Sequence, residues 1–159
     1  MKRIIMLLSI VLLLVGITQA QISLILPDTT YTQNNIAVKI PVIVRYFNNI
    51  GAVSLIINYD PNVLTFTGTD SDPVHGTFLP PTAQNGHLII SWYDTNPLNI
   101  GNSELTWLHF TYHQGTSTLQ FQTSSCEIAD SSANPINVTY VDGQVSGPSS
   151  QVSNFNLGR

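Results

Sequence analysis

Short runs in which apolar and polar residues alternate, each closed by a cluster of Gly, Pro, Asn or Asp, constrain this chain more than any other feature. A side-chain period of two belongs to a strand with one face buried and one face wet. Val38, Ile40, Val42 and Val44 share one side of a run from Ile36 to Tyr46. Val53, Leu55, Ile57 and Tyr59 then alternate with Ala52, Ser54, Ile56 and Asn58. Leu88, Ile90 and Trp92 mark a run from His87 to Tyr93. Leu108, Phe110 and Tyr112 mark another, from Glu104 to His113, whose opposite side holds Trp107, His109, Thr111 and His113. Shorter runs cover Ile22–Leu26, Leu64–Thr69, Thr118–Thr123, Cys126–Asp130 and Asn137–Val145. After residue 20 no segment has a helical period. About nine strands at this spacing predict two antiparallel sheets packed face to face, an all-β sandwich.

The breaks are equally legible. Asp60-Pro61-Asn62 is a turn in which proline presets φ and aspartate caps. Pro41 inside its run predicts a sheet edge or a bulge, because proline gives the ladder no donor. Asp70–Gly86 and Asp94–Ser103 are expected to be long loops. Residues 1–20 read as a signal peptide: Lys2 and Arg3, an apolar run from Ile4 to Val15, then Thr18-Gln19-Ala20 as a cleavage site before Gln21. The expected organisation is a leader at 1–20, one β-sandwich domain at 21–147 and a tail or linker at 148–159. The product is expected to be secreted, extracellular or held at the cell surface.

Charge excludes several partners. Beyond the leader, three basic residues (Lys39, Arg45, Arg159) stand against nine acidic ones, a formal net charge of −6. Nucleic acid and anionic membranes call for clustered Lys or Arg, so neither is expected as a partner. Only 9% of the chain is charged; Ser, Thr, Asn and Gln supply the polar positions. Cys126 is the only cysteine, so no internal disulfide forms, and a buried inert thiol is expected.

Catalytic chemistry finds no constellation. His109 and His113 share a strand face about 13 Å apart, at ~3.3 Å per residue, too far to share a metal ion. The HExxH and Cys/His patterns of zinc sites are missing. Asp70-Ser71-Asp72 lacks the remaining acids and the glycine of a calcium loop, and reads as turn capping and solvation. Asp94 and Glu104 flank one loop, but nothing around them suggests the cleft that a pair of glycosidase carboxylates needs. No enzyme, no bound metal and no cofactor are expected. If Leu108, Phe110 and Tyr112 point inward, Trp107 and His109 point out. An outward tryptophan beside His and Thr suits a protein interface, or a platform on which a polysaccharide stacks.

The stretch Gly51-Ala52-Val53-Ser54-Leu55-Ile56-Ile57-Asn58-Tyr59-Asp60-Pro61-Asn62-Val63-Leu64 resembles the third-strand signature of cohesin domains. Ile36–Val42, with its internal proline, resembles the family's second strand. Leu88–Trp92, Leu105–Tyr112, Cys126–Asp130 and Val141–Val145 follow in the family's order, so the resemblance spans roughly residues 22–147. It implies a nine-stranded jelly roll and a non-catalytic module that binds dockerins, the calcium-loaded helical modules of polysaccharide-degrading enzymes. Calcium, where involved, then belongs to the partner. The family binds through its third, fifth, sixth and eighth strands. Carried onto this chain, the partner-binding residues are Ser54, Ile56, Asn58, Ile89, Ser91, Tyr93, Asp94, Trp107, His109 and Thr111. Ala52 and Ser54 stand where well-studied members place an Asn and an acid. A carbohydrate-binding module and a structural adhesin domain are the other functions compatible with such a sandwich.

Overall fold

The structure, a computed structural model, describes residues 21–70 and 76–148. The expected leader at 1–20, Ser71 and Asp72 of the acidic loop, His75 and the tail from 149 lie outside the described residues. Among the described residues thirteen strands succeed one another: β1 (Ser23–Ile25), β2 (Thr29–Thr30), β3 (Ile36–Phe47), β4 (Ile50–Asn58), β5 (Leu64–Thr69), β6 (Thr77–Phe78), β7 (Thr82–Gln84), β8 (His87–Leu98), β9 (Gly101–Tyr112), β10 (Thr116–Phe121), β11 (Glu127–Asp130), β12 (Thr139–Val141) and β13 (Gly143–Ser146). The first sheet has the order β12-β1-β3-β9-β5. The second has β2-β13-β10-β4-β8-β6, with β11 also paired to β4 and β7 to β8. The only helical element among the described residues is one 3-10 turn, Thr123–Ser125.

Alternation decides the interior. Val38, Ile40, Val42 and Val44 of β3 and Leu108, Phe110 and Tyr112 of β9 are buried from one side. Val53, Leu55 and Ile57 of β4, Leu88, Ile90 and Trp92 of β8, and Leu119 and Phe121 of β10 meet them from the other. Phe110 packs against Tyr59 and Phe66, with ring centroids 5.3 and 5.5 Å away, in the edge-to-face geometry that aromatic quadrupoles favour. Pro41 satisfies both expectations at once. The β1 pairing stops at Ile43, so at Pro41 β3 has β9 alone as neighbour, and a bulge follows between Val42 and Ile43.

The two expected loops are shorter than their composition suggests. Residues 94–103 do not form a loop: β8 runs on to Leu98 and β9 starts at Gly101, leaving a tight hairpin. The turn-forming residues Asp94, Asn96 and Pro97 are absorbed by an irregularity in the β4–β8 register between Ile50 and Ala52, and Asp94 accepts the Asn96 N–H in a local turn at 2.9 Å. Within Asp70–Gly86, β6 and β7 pair with β8 along the rim of the second sheet.

The sheets are not wholly antiparallel. β1 runs parallel to β12, and β2 parallel to β13. The first and last segments thus travel side by side and change sheets together. Leu26 N–H donates to Val141 C=O at 2.9 Å before the crossing, and Tyr31 N–H donates to Ser146 C=O at 2.8 Å beyond it. The run expected as one strand over 137–145 is therefore split between the sheets at Asp142. At the crossing a Cβ on Gly143 would run into the carbonyl oxygens of Leu26 and Pro27, so two backbones touch where only glycine fits.

Two substitutions test this framework. Gly143→Ala should destabilise by about 1–3 kcal/mol through backbone displacement. Leu55→Ala, in the centre of the core, should cost about 2–5 kcal/mol through the cavity it leaves. Urea unfolding measures both; a neutral Gly143→Ala would show that the crossing tolerates a side chain.

Candidate binding face

The outward side chains of the second sheet form a grid that the strand registers specify. Ala52, Ser54, Ile56 and Asn58 of β4 stand opposite Tyr93, Ser91, Ile89 and His87 of β8. On the β4 side, Ala129 and Glu127 of β11 extend the rows of Ala52 and Ser54, and Gln120 of β10 extends that of Asn58. On the β8 side, Thr77 of β6 continues the row of Tyr93, while Thr82 and Gln84 of β7 continue those of Ile89 and His87. Leu79 donates its N–H to Ser91 C=O at 3.0 Å, which places it beside Ser91 on this face. Tyr93 is 52% exposed, Leu79 45% and Ile89 42%. Three large apolar side chains therefore stand in water next to one another around Ser91, an arrangement typical of interaction sites.

Backbone chemistry keeps this face continuous where its outer strand breaks. The 3-10 turn separates β10 from β11, leaving Ile56 without a regular strand partner on that side. Gln122 N–H donates to Ile56 C=O at 2.9 Å, and the Cys126 Sγ accepts the Ile56 N–H at 3.3 Å. Burial pushes the thiol's pKa up, and a proton-holding thiol is a poor nucleophile. At the rim, Thr82, Gln84, Asn85, His87 and Ile89 line a shallow depression of about 440 Å³. Its histidine is oriented by a 2.7 Å hydrogen bond between His87 Nδ1 and Asn58 Oδ1.

The ten partner-binding residues expected from sequence do not share one face. Ser54, Ile56, Asn58, Ile89, Ser91 and Tyr93 do, with Asp94 in the bulge beside them. Trp107, His109 and Thr111 lie on β9, which belongs to the first sheet, and they point out from the opposite side of the sandwich. Their outward direction is as expected; their sheet is not. The reason is the two short strands β6 and β7. They take the free side of β8 in the second sheet, and the next strand, β9, pairs with β3 and β5 in the first. Thr77 and Leu79 lie in and just after a strand too short to show a period; the runs holding Gln120 and Glu127 were legible, but their place beside β4 was not.

On that opposite face the polar groups satisfy one another. Trp107 stands opposite Pro41 and His109 opposite Lys39, and all of these outward side chains except Lys39 are half-buried. Asp70 Oδ1 accepts from Lys39 Nζ at 2.8 Å and pairs with His109 Nε2 at 2.6 Å. The Lys39 ammonium, with His109 beside it, holds the Asp70 carboxyl below its ordinary pKa of 3.8. His113 Nε2 bonds Thr65 Oγ1 at 2.9 Å. Among the described residues no three His, Cys, Asp or Glu side chains converge on a metal position.

The fold is a jelly-roll sandwich whose second sheet leaves Leu79, Ile89 and Tyr93 exposed on its outer face. The chain belongs to the cohesin domain family, whose model matches residues 22–146. Its fold is similar to that of a non-cellulosomal cohesin from the hyperthermophilic archaeon Archaeoglobus fulgidus, at 20% identity and a TM-score of 0.70 over 83% of this chain and 94% of that one. It is also similar to the OlpA cohesin of Clostridium thermocellum, solved in a type I complex with a dockerin, at 14% identity and a TM-score of 0.70 over 81% and 100%. A third similar structure is CaCohA2 of Clostridium acetobutylicum, at 18% identity and a TM-score of 0.67 over 85% and 96%. No curated protein matches the sequence significantly.

A carboxyl with a depressed pKa stabilises the fold above its unfolded value and loses that contribution as pH falls through the folded one. Asp70→Asn should therefore lower the melting temperature at pH 7, and the gap to the parent chain should close towards about pH 2. A gap independent of pH would mean that the Asp70 charge contributes nothing.

Proposed function

We propose that this chain is an exported, non-catalytic module that binds a dockerin through the outer face of its second sheet. The observation that carries the reading is the contiguous exposure of Leu79, Ile89 and Tyr93 around Ser91 on a flat, nearly charge-free sheet. Such a surface is left apolar at a cost unless a partner covers it. The family membership supports the reading, as does the type I complex of the similar OlpA cohesin with its dockerin. Export is supported by the leader pattern at 1–20. Calcium is a property of the partner, since dockerins are the calcium-loaded component. A sugar platform would call for several coplanar aromatics, whereas Tyr93 is the one aromatic among the outward residues of this grid.

Calorimetric titration of the chain against dockerins of the same genome, with calcium and with chelator, tests the proposal. Saturable, calcium-dependent binding is expected. Tyr93→Ala and Ile89→Ser should each weaken it by about 1–2 kcal/mol, as for anchors in an interface centre. Trp107→Ala, on the opposite face, should leave the affinity unchanged. Binding lost with Trp107 and retained without Tyr93 would move the site to the first sheet, and binding to a polysaccharide alone would make the module a carbohydrate binder.

A further inference from the structure

The fold engages its asparagine side chains wherever a turn or a strand end calls for them. Asn49, Asn99 and Asn102 accept backbone or hydroxyl hydrogens at the β3–β4 and β8–β9 turns. Asn62 and Asn134 donate to Asp60 and Asp130, and Asn58 orients His87. Asn137 differs from these. It is exposed, and among the described residues its side-chain amide has no hydrogen-bond partner. It is also the only asparagine of the chain with a Ser or Thr two places on. Asn137-Val138-Thr139, with no proline in the middle, is the acceptor pattern for asparagine-linked glycosylation.

The structure supplies the context that the pattern requires, an accessible surface segment. Asn137 stands just before β12, the edge strand of the first sheet. Ile136, Val138 and Tyr140 pack against the core, whereas Asn137, Thr139 and Val141 alternate with them and are exposed. A sugar attached at Asn137 therefore projects into solvent and displaces no packed side chain. It stands beside a three-residue edge strand whose Val141 is 43% exposed. A bulky, solubilising group there shields an edge that could otherwise pair with a second chain. The outer face of the second sheet belongs to the other layer and stays uncovered.

We propose that Asn137 is an N-glycosylation site, modified as the chain is exported. The donor is a lipid-linked oligosaccharide and the catalyst a membrane oligosaccharyltransferase. Asn137 Nδ2 bonds to the anomeric carbon of the first sugar, and the bond from that carbon to the lipid phosphate breaks. One amide proton passes to a base of the transferase, and the lipid phosphate leaves. In the folded chain Thr139 N–H donates to Ile22 C=O at 3.0 Å, and Thr139 pairs with Ser23 of β1. The transferase reads the Thr of the pattern, so transfer precedes the docking of β12 onto β1. The proposal rests on export and is independent of which partner the second sheet binds.

Mass spectrometry of the protein recovered from the surface and medium of the cells that make it is the test. The peptide carrying Asn137 is expected to bear an oligosaccharide, which a glycan amidase releases with conversion of the asparagine to aspartate. Asn137→Gln and Thr139→Ala should each abolish the modification, and Thr139→Ser should retain it. Both positions are exposed, so the variants are expected to fold, and circular dichroism checks that they do. Sugar that persists in Asn137→Gln overturns the assignment to this residue. Asn137 found bare in chains whose leader has been removed overturns the site and leaves export standing. Chains found only inside the cell, with residues 1–20 still attached, overturn export and the site with it.

Discussion

Everything in this sandwich depends on the contact between Leu26 and Gly143, where the first and last segments cross from one sheet to the other. Without a shared strand, two stacked sheets are held by side-chain packing alone and can slide or splay. Here the same pair of segments supplies hydrogen-bonded neighbours to both sheets, β12 beside β1 in one and β13 beside β2 in the other. The crossing is tight enough to require a residue without a side chain. Asp142, next to Gly143, also accepts the Phe121 N–H at 2.9 Å, so the end of β10 is fixed to the same point. The outer face of the second sheet thus belongs to a sheet tied to its neighbour at the β2–β13 edge.

The two outer faces solve the problem of an exposed sheet in different ways. On the first sheet a charged cluster of Lys39, Asp70 and His109 is satisfied within the molecule, and Trp107 is half-buried beside Pro41. On the second, side chains of low polarity stand uncovered and the polar groups between them are small. The difference explains why an outward tryptophan, the more conspicuous residue in sequence, marks the quieter surface. Exposure of Leu79, Ile89 and Tyr93 reports an unmet need for burial; Trp107 has met most of its own.

Parity is a local property, and it was legible. The residues facing inward on β3, β4, β8 and β9 follow from a period of two, because the pleat turns each successive side chain to the opposite face. Membership of a sheet is not local. Whether the outward side of β9 lies beside β8 or behind it depends on which strands intervene, and β6 and β7 are two and three residues long. Strands that short have no measurable period. The parallel pairing of the chain's first and last segments is equally invisible in sequence, being a contact across more than a hundred residues. At Asp94 the local signal was real, since its carboxylate does form a turn, but that turn sits inside a continuing strand.

Because β1 and β2 run the same way as β12 and β13, a pull applied along the chain at residues 21 and 148 draws neighbouring strands past each other lengthwise. The hydrogen bonds of Leu26 with Val141 and Tyr31 with Ser146, and the ladders flanking them, then bear load together instead of opening in sequence. Mechanical rupture of this domain requires a cooperative event at its first and last strands. A domain built this way resists tension along its own backbone while the outer face of its second sheet stays uncovered.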